Sequence, residues 1–305
     1  MNYSLGSIVA VVLLFVSSSL SAQVPDGYYT AARGKRGADL KTALFTIIKD
    51  PDVVPYAQLW EAFETTDALR NNKVWDMYSD HPEKGALYHY DFRNNRCGSS
   101  RAEGDCFNRE HSLPRSWFKG TRSLESDLFH LYPTDGYVNN RRSNLPFGQA
   151  GIIYWESSNG SKVGQNTFGN YTKTIFEPID EYKGDFARTY FYVVTAYEDK
   201  VSQWRSDQVG GSSYPGFSDW SLLLLLKWHR EDPVSLKEVR RNEEIYKIQD
   251  NRNPYIDYPE LVEHVWGESM SELFQPEVLS DSFLVIECSP FERWLKGMSN
   301  LFKQR

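Results

Sequence analysis

Apolar residues recur at helical spacing near the start of the chain, at Leu40, Leu44, Ile47 and Ile48 and then at Tyr56, Leu59, Trp60 and Phe63. This spacing predicts two amphipathic helices. Between Lys73 and Phe92 the pattern shortens. Val74-Trp75-Asp76-Met77-Tyr78 and Leu87-Tyr88-His89-Tyr90-Asp91-Phe92 alternate or cluster as strands do. Helical spacing returns after Asp185, in Phe186 to Val194 and in Trp220 to His229, which stops before Pro233. Ser235-Leu236-Lys237-Glu238 reads as a capping box, and Pro254 follows the helix it opens. Residues 93 to 185 are rich in turn formers and show little long periodicity, the profile of a binding or catalytic region carried on a scaffold. The fold class is α+β, mainly helical, in a single domain spanning residues 23–275.

Composition narrows this picture. With 305 residues, 40% hydrophobic and 15% aromatic, the chain can bury a large core without metal or disulfides. It shows no repeat, no low-complexity tract and no apolar run long enough to span a membrane. Residues 1–22 carry no charged side chain, hold the apolar stretch Ile8 to Val16, and end in Ser19, Ser21 and Ala22. That is the pattern of a secretory signal peptide, and it places the mature protein outside the cytoplasm, secreted or periplasmic. In an oxidising compartment Cys97 and Cys106, which flank a Gly/Ser-containing loop, are expected to form a disulfide, leaving Cys288 as a buried thiol.

The net charge of -7 argues against a protein that coats nucleic acid over its whole surface. Locally the balance reverses. From Phe92 to Arg122 seven cations (Arg93, Arg96, Arg101, Arg109, Arg115, Lys119, Arg122) face three anions (Glu103, Asp105, Glu110), leaving +4. Phosphate is the natural anion for such a patch. Hydrolysis of a phosphodiester needs a base for water, a cation on the phosphate oxygens, and donors for the extra charge of the transition state. His111 can serve as a neutral base. Glu110 and Asn144 offer hard oxygens of the kind Mg²⁺ accepts while keeping several waters. Adjacent Glu110 and His111 would face opposite ways on an extended strand, so the strand must twist or bulge for both to address one phosphate. The motifs HExxH, GxSxG, GxGxxG and the Walker loop are absent, and the six histidines are not spaced as zinc ligands. Alone, Asn108-Arg109-Glu110-His111 also fits an ion pair beside a hydrogen-bonded histidine, so the residues by themselves reach no further than a metal-assisted phosphoester hydrolase.

Longer motifs carry a resemblance. They are Asn108-Arg109-Glu110-His111-Ser112-Leu113-Pro114, Asp127-Leu128 with His130-Leu131-Tyr132-Pro133, Val138-Asn139 with Arg142-Ser143-Asn144, Ala187-Arg188-Thr189-Tyr190-Phe191-Tyr192, and Glu243 through Tyr255. In this order, over roughly residues 25 to 270, the chain resembles the endonuclease I family of secreted, largely sequence-nonspecific nucleases. The resemblance implies a central ββα-metal (His-Me finger) site, with His111 as general base, Glu110 and Asn144 as metal ligands, and Asn144 supplied by the helix after the β-pair. It also implies Mg²⁺, with Mn²⁺ or Ca²⁺ as alternatives, and a DNA substrate, with RNA as a second one, cut to leave 5′-phosphates.

Arg122, or else Arg115, is the candidate to aid the leaving group. Arg109, Arg115 and Arg142 are candidates for phosphate binding, although Arg142 and Asn139 also fit a role in holding the metal-bearing helix. Arg188 and Asn253 match family positions, with a salt bridge and a helix stop as their structural alternatives. Phe129 stands where the family usually has histidine, and His130 reads as a hydrogen-bonded core residue. Residues 276–305 lie outside the resemblance and carry an amphipathic stripe suited to a terminal helix. A monomer is favoured. Two other readings stay open: a catalytically silent DNA-binding or adhesion module on the same scaffold, and a phosphodiesterase for small nucleotides.

Overall fold

The computed structural model describes residues 24–275; the signal segment, Cys288 and the terminal stripe lie outside them. Two helices open this region, α1 (Gly37–Ile48) and α2 (Leu59–Thr66), the second entered through a 3₁₀ turn at Tyr56–Gln58. A hairpin of β1 (Phe107–His111) and β2 (Leu131–Asp135) runs directly into α3 (Gly136–Arg142). A separate antiparallel sheet follows, β3 (Ala150–Glu156), β4 (Lys162–Asn166) and β5 (Thr174–Glu177), in that spatial order. The chain ends in helices α4 (Lys183–Ala196), α5 (Glu198–Val201), α6 (Asp219–Glu231), α7 (Leu236–Gln249), α8 (Pro254–Asp257) and α9 (Leu261–Trp266). The mixed α+β class read from the sequence holds.

Helix α4 is the centre of the packing. Every residue from Gly184 to Ala196 is buried, so it lacks the polar face of a surface helix and must be enclosed on all sides. α1 and α6 pack on it, and Phe186 and Tyr190 meet Phe147 at ring-centroid distances of 4.6 and 5.4 Å. A Cβ at Gly184 would lie 2.0 Å from the Asp232 carbonyl oxygen, so only glycine allows this approach. Inside the helix Arg188 is fully buried and forms a two-point ion pair with Glu238 at 2.5 and 2.8 Å. This is the structural alternative for Arg188. The capping box is present, with Ser235 and Glu238 bonding reciprocally. Asn253 caps α8 by accepting from the Tyr255 amide and also donates to the Arg188 carbonyl.

Two expectations need correction. Residues 73 to 92 form no named strand; beyond the isolated Ala68–Val74 bridge they run as loop and turns. Their apolar residues Trp75, Met77, Tyr78, Tyr90 and Phe92 are buried. The alternation marks side chains plugging a core from an irregular segment, not one face of a sheet. Conversely, residues 93 to 185, read as loop-rich apart from the β-pair that the resemblance implies, contain all five strands of the described residues, each only four to seven residues long. β3 has two register irregularities and an exposed surface, which erase the alternation that would betray it.

His229 links the core to pH. On α6 its Nε2 donates to the Pro259 carbonyl at 3.1 Å and its Nδ1 faces the Arg188 guanidinium at 3.4 Å. Burial, reinforced by Arg188, lowers its pKa to about 4. The stability it contributes is therefore complete above the unfolded value near 6.5 and is lost as pH falls toward 4. Denaturant unfolding between pH 6 and 4.5 should show a pH slope smaller in His229→Gln than in the parent by up to about 1.4 kcal/mol per pH unit. Equal slopes would remove His229 from the acid response.

Candidate active site

β1 pairs with β2 in unbroken register, Glu110 opposite Tyr132 and His111 opposite Leu131. The bulge expected for Glu110 and His111 is absent, and the two side chains have separate neighbours. Both are nevertheless enclosed, at 2% and 8% exposure. The far end of the hairpin is fixed by Asp135. One carboxylate oxygen accepts from the Tyr137 and Val138 amides at 2.7 and 2.9 Å, capping α3. The other accepts from Tyr88, Tyr90 and the Gly104 amide at 2.9, 2.6 and 2.9 Å. Asp76 accepts from the Asp135 amide, so the segment misread as strands is a clamp on this turn.

Cys97 and Cys106 are joined by a disulfide. Gly136, the first residue of α3, donates its amide to the Cys106 carbonyl at 2.9 Å, and a Cβ there would meet Cys97 Sγ at 3.3 Å. The disulfide loop is thus seated on the start of the helix.

Glu110 Oε1 accepts from the Tyr78 hydroxyl at 2.9 Å and lies 3.1 Å from Arg142 Nη1. Burial pushes the carboxyl up to about 7, with Arg142 and Tyr78 working against that push. Arg142 is 1% exposed and donates to the carbonyls of His111, at 3.0 Å, and Ser112. Its two Nη groups are committed to Glu110 and to the end of β1, while its buried Nε has no hydrogen-bond partner among the described residues. These contacts fit the structural alternative for Arg142, in which it holds the hairpin and the Glu110 carboxylate in place. Asn139 does a similar job, donating to the Asn108 side chain at 2.7 Å.

His111 Nε2 lies 3.1 Å from the Glu125 carbonyl oxygen. A carbonyl can only accept, so Nε2 carries the proton and Nδ1 keeps its lone pair. Burial, and the neighbouring His130 and arginines, lower the pKa of His111 to about 2, which keeps the ring neutral. Tyr56 stacks over it at 6.1 Å, and the rings of His130 and Phe118 lie 5.4 and 6.3 Å away. His130 is buried with Nε2 against the Leu124 carbonyl, the core histidine its sequence suggested. Phe129 is a packing residue, its ring 4.5 Å from that of Tyr192.

The remaining candidates sit around this centre. Arg109 lies 3.7 Å from the Tyr56 ring centroid and 4.5 Å from that of Trp60, and donates to the Tyr56 carbonyl at 2.7 Å. Arg115 is exposed and pairs with Glu125 at 3.1 Å. Arg122 is exposed three residues before Glu125, in the turn whose carbonyl meets His111. Asn144 is exposed, but α3 ends at Arg142, so a turn and not the helix supplies it. Ser143 between them has φ 52° and ψ -126°, a conformation costly for a residue with a side chain, of the kind that collects at functional sites. Tyr78, Tyr56 and Glu125 escaped the sequence reading. They lie 14 to 55 residues from His111, and nothing local ties them to it.

The model of the family described as Endonuclease I matches residues 36–260. The chain belongs to the endonuclease I family. It is 35% identical over 264 residues to the extracellular ribonuclease of Bacillus amyloliquefaciens, covering 83% of this chain and 84% of that protein. Against Endonuclease-1 of Buchnera aphidicola subsp. Baizongia pistaciae the identity is 28%, covering 55% of this chain and 66% of the relative. An extracellular deoxyribonuclease of Aeromonas hydrophila is 27% identical over 44% of this chain and 50% of its own length. As an endonuclease I family member with extracellular nuclease relatives, the chain is a secreted or periplasmic nuclease. Among its described residues no helix is long and apolar enough to cross a membrane.

In this family member the role of Arg142 can be tested directly. Arg142→Met leaves Glu110 and the carbonyls of His111 and Ser112 without their buried cation and should cost about 3–5 kcal/mol of unfolding free energy. In the Glu110→Gln background the same change should cost less, because no uncompensated charge remains. Additive effects across this double-mutant cycle would show that the ion pair does not hold the hairpin.

Proposed function

We propose that the chain is a metal-dependent, sequence-nonspecific endonuclease that hydrolyses phosphodiester bonds of DNA and also of RNA, leaving 5′-phosphate ends on a ββα-metal site. The observation that carries this reading is the tautomer of His111. With Nε2 committed to the Glu125 carbonyl, the basic nitrogen is Nδ1, on a neutral ring at the end of β1 beside Glu110.

His111 takes a proton from water at Nδ1, and the hydroxide formed attacks phosphorus as the 3′-oxygen of the preceding nucleotide leaves. The 2′-hydroxyl plays no part, so the chemistry does not separate DNA from RNA. A relative named as a ribonuclease and another named as a deoxyribonuclease are compatible with that.

Glu110 and Asn144 are the residues that would hold Mg²⁺, or Mn²⁺ or Ca²⁺ in its place. The donor set fits: one carboxylate and one amide oxygen, both hard. No group of three His, Cys, Asp or Glu side chains that could hold a metal occurs among the described residues, so an ion here would keep much of its shell as water and phosphate oxygen, as Mg²⁺ commonly does. When bound, the ion supplies positive charge for the phosphate oxygens. Arg142 holds the Glu110 carboxylate in place for it. Arg115 and Arg122 are exposed and Arg109 is half-buried beside Tyr56 and Trp60, and in this reading all three contact the backbone phosphates. Arg122 is the candidate to neutralise the leaving oxygen, with Arg115 as the alternative.

Nicking of supercoiled plasmid and degradation of unstructured RNA by residues 23–305 test the reading. Cutting should require divalent metal, stop with EDTA, and fall about 10²–10⁴-fold in His111→Ala. It should weaken as salt rises and show little base preference. A folded chain that binds DNA without cutting in Mg²⁺, Mn²⁺ or Ca²⁺ would instead be a silent binding module, and cutting of dinucleotides alone would make it a small-nucleotide phosphodiesterase.

A further inference from the structure

Strand β3 presents three consecutive large apolar residues to solvent, Ile152 at 59%, Ile153 at 47% and Tyr154 at 58% exposure. The next residue, Trp155, is half-buried and turned toward α3, its ring 6.2 Å from Tyr137 and 5.1 Å from the Arg141 guanidinium. Arg141 is exposed and has no carboxylate partner among the described residues. It precedes Asn144 by three residues. An apolar and aromatic surface with one uncompensated cation therefore begins where the proposed metal ligand ends.

A second strand is poorly suited to cover this face. β3 is an edge strand, which could in principle pair with another chain, but its register is broken between Ala150 and Ile152 and again between Ile153 and Trp155. Such irregularities interrupt the regular row of amides and carbonyls that pairing needs. Nucleic acid needs no such row. Bases stack on aromatic faces, and a free guanidinium meets a phosphate or stacks in turn.

We propose that β3 and Arg141 form a platform for an unpaired stretch of the nucleic-acid substrate flanking the cleaved bond. Tyr154 stacks a base, and Trp155 holds Arg141 toward the backbone. Duplex DNA, whose bases are already stacked on one another, gains less from this surface than a single strand. The inference rests on the nuclease reading above and adds a preference for unpaired polymer.

The test uses His111→Ala protein, so that binding is read without cleavage, and a fluorescent oligothymidylate followed by anisotropy. Tyr154→Ala should weaken binding roughly tenfold or more, while Tyr154→Phe, which keeps the ring, should stay within about twofold. Arg141→Gln should weaken binding and reduce the slope of log affinity against log salt by about 0.7. Unchanged affinity in Tyr154→Ala overturns the platform, as does a concentration-dependent dimer of the parent that Tyr154→Ala dissolves, which would assign the face to a second copy. These outcomes separate from failure of the nuclease reading: Tyr154-dependent binding by a wild-type chain that cuts nothing keeps the platform and removes the enzyme.

Discussion

The buried pair of Glu110 and Arg142 is the interaction on which the site depends. One guanidinium, at the end of α3, reaches the Glu110 carboxylate and the carbonyls of His111 and Ser112 together. Removing either partner leaves a charge without water or counter-ion, and leaving a buried charge unpaired costs far more than the pair contributes. The strand carrying His111 and the helix leading to Asn144 are therefore locked to each other by the carboxylate proposed to hold the metal. Tyr190 of the enclosed α4 donates to the same Ser112 carbonyl at 2.8 Å, which ties the lock to the centre of the core.

Around this pair the molecule spends much of its polar inventory on position. Asp135 gathers five donors, Asp127 takes two tyrosine hydroxyls, and Arg241 reaches Asp67 and the carbonyls of Leu128 and Leu131. Each fixes a turn at one end of the β-hairpin, where loop backbone would otherwise be free to shift. Preorganisation of this kind suits a site whose catalysis rests on placing a base and charges around a phosphate. The disulfide serves the same end by seating its loop on the first residue of α3.

Charge is divided by depth. His111 and His130 are neutral because they are buried, and each uses Nε2 to satisfy a backbone carbonyl. Arg115 and Arg122 remain at the surface, and Arg109 is half-buried against Tyr56 and Trp60. A protein of net charge -7 in this way keeps a small local positive field beside a neutral histidine, as the proposed reaction requires.

The sequence by itself determined the helices, because their apolar spacing and caps are local: α1, α4, α6 and the Ser235–Glu238 box were all legible. It also carried the motif order that marks the family, and the cysteine pair. The tertiary structure decided the rest. Residues 73 to 92 alternate because they bury aromatic side chains from an irregular segment without sheet pairing, whereas β3 is an exposed, irregular edge that lacks the alternation strands are read by. For Arg142 the motif left phosphate binding and a structural role both open, because a sequence carries no sign of an arginine's burial; the fold turns it inward, onto Glu110. Tyr78 stands 32 residues before its partner Glu110, and Glu125 stands 14 residues after its partner His111; hydrogen bonds at such separations are set by where the chain returns, which no local pattern records.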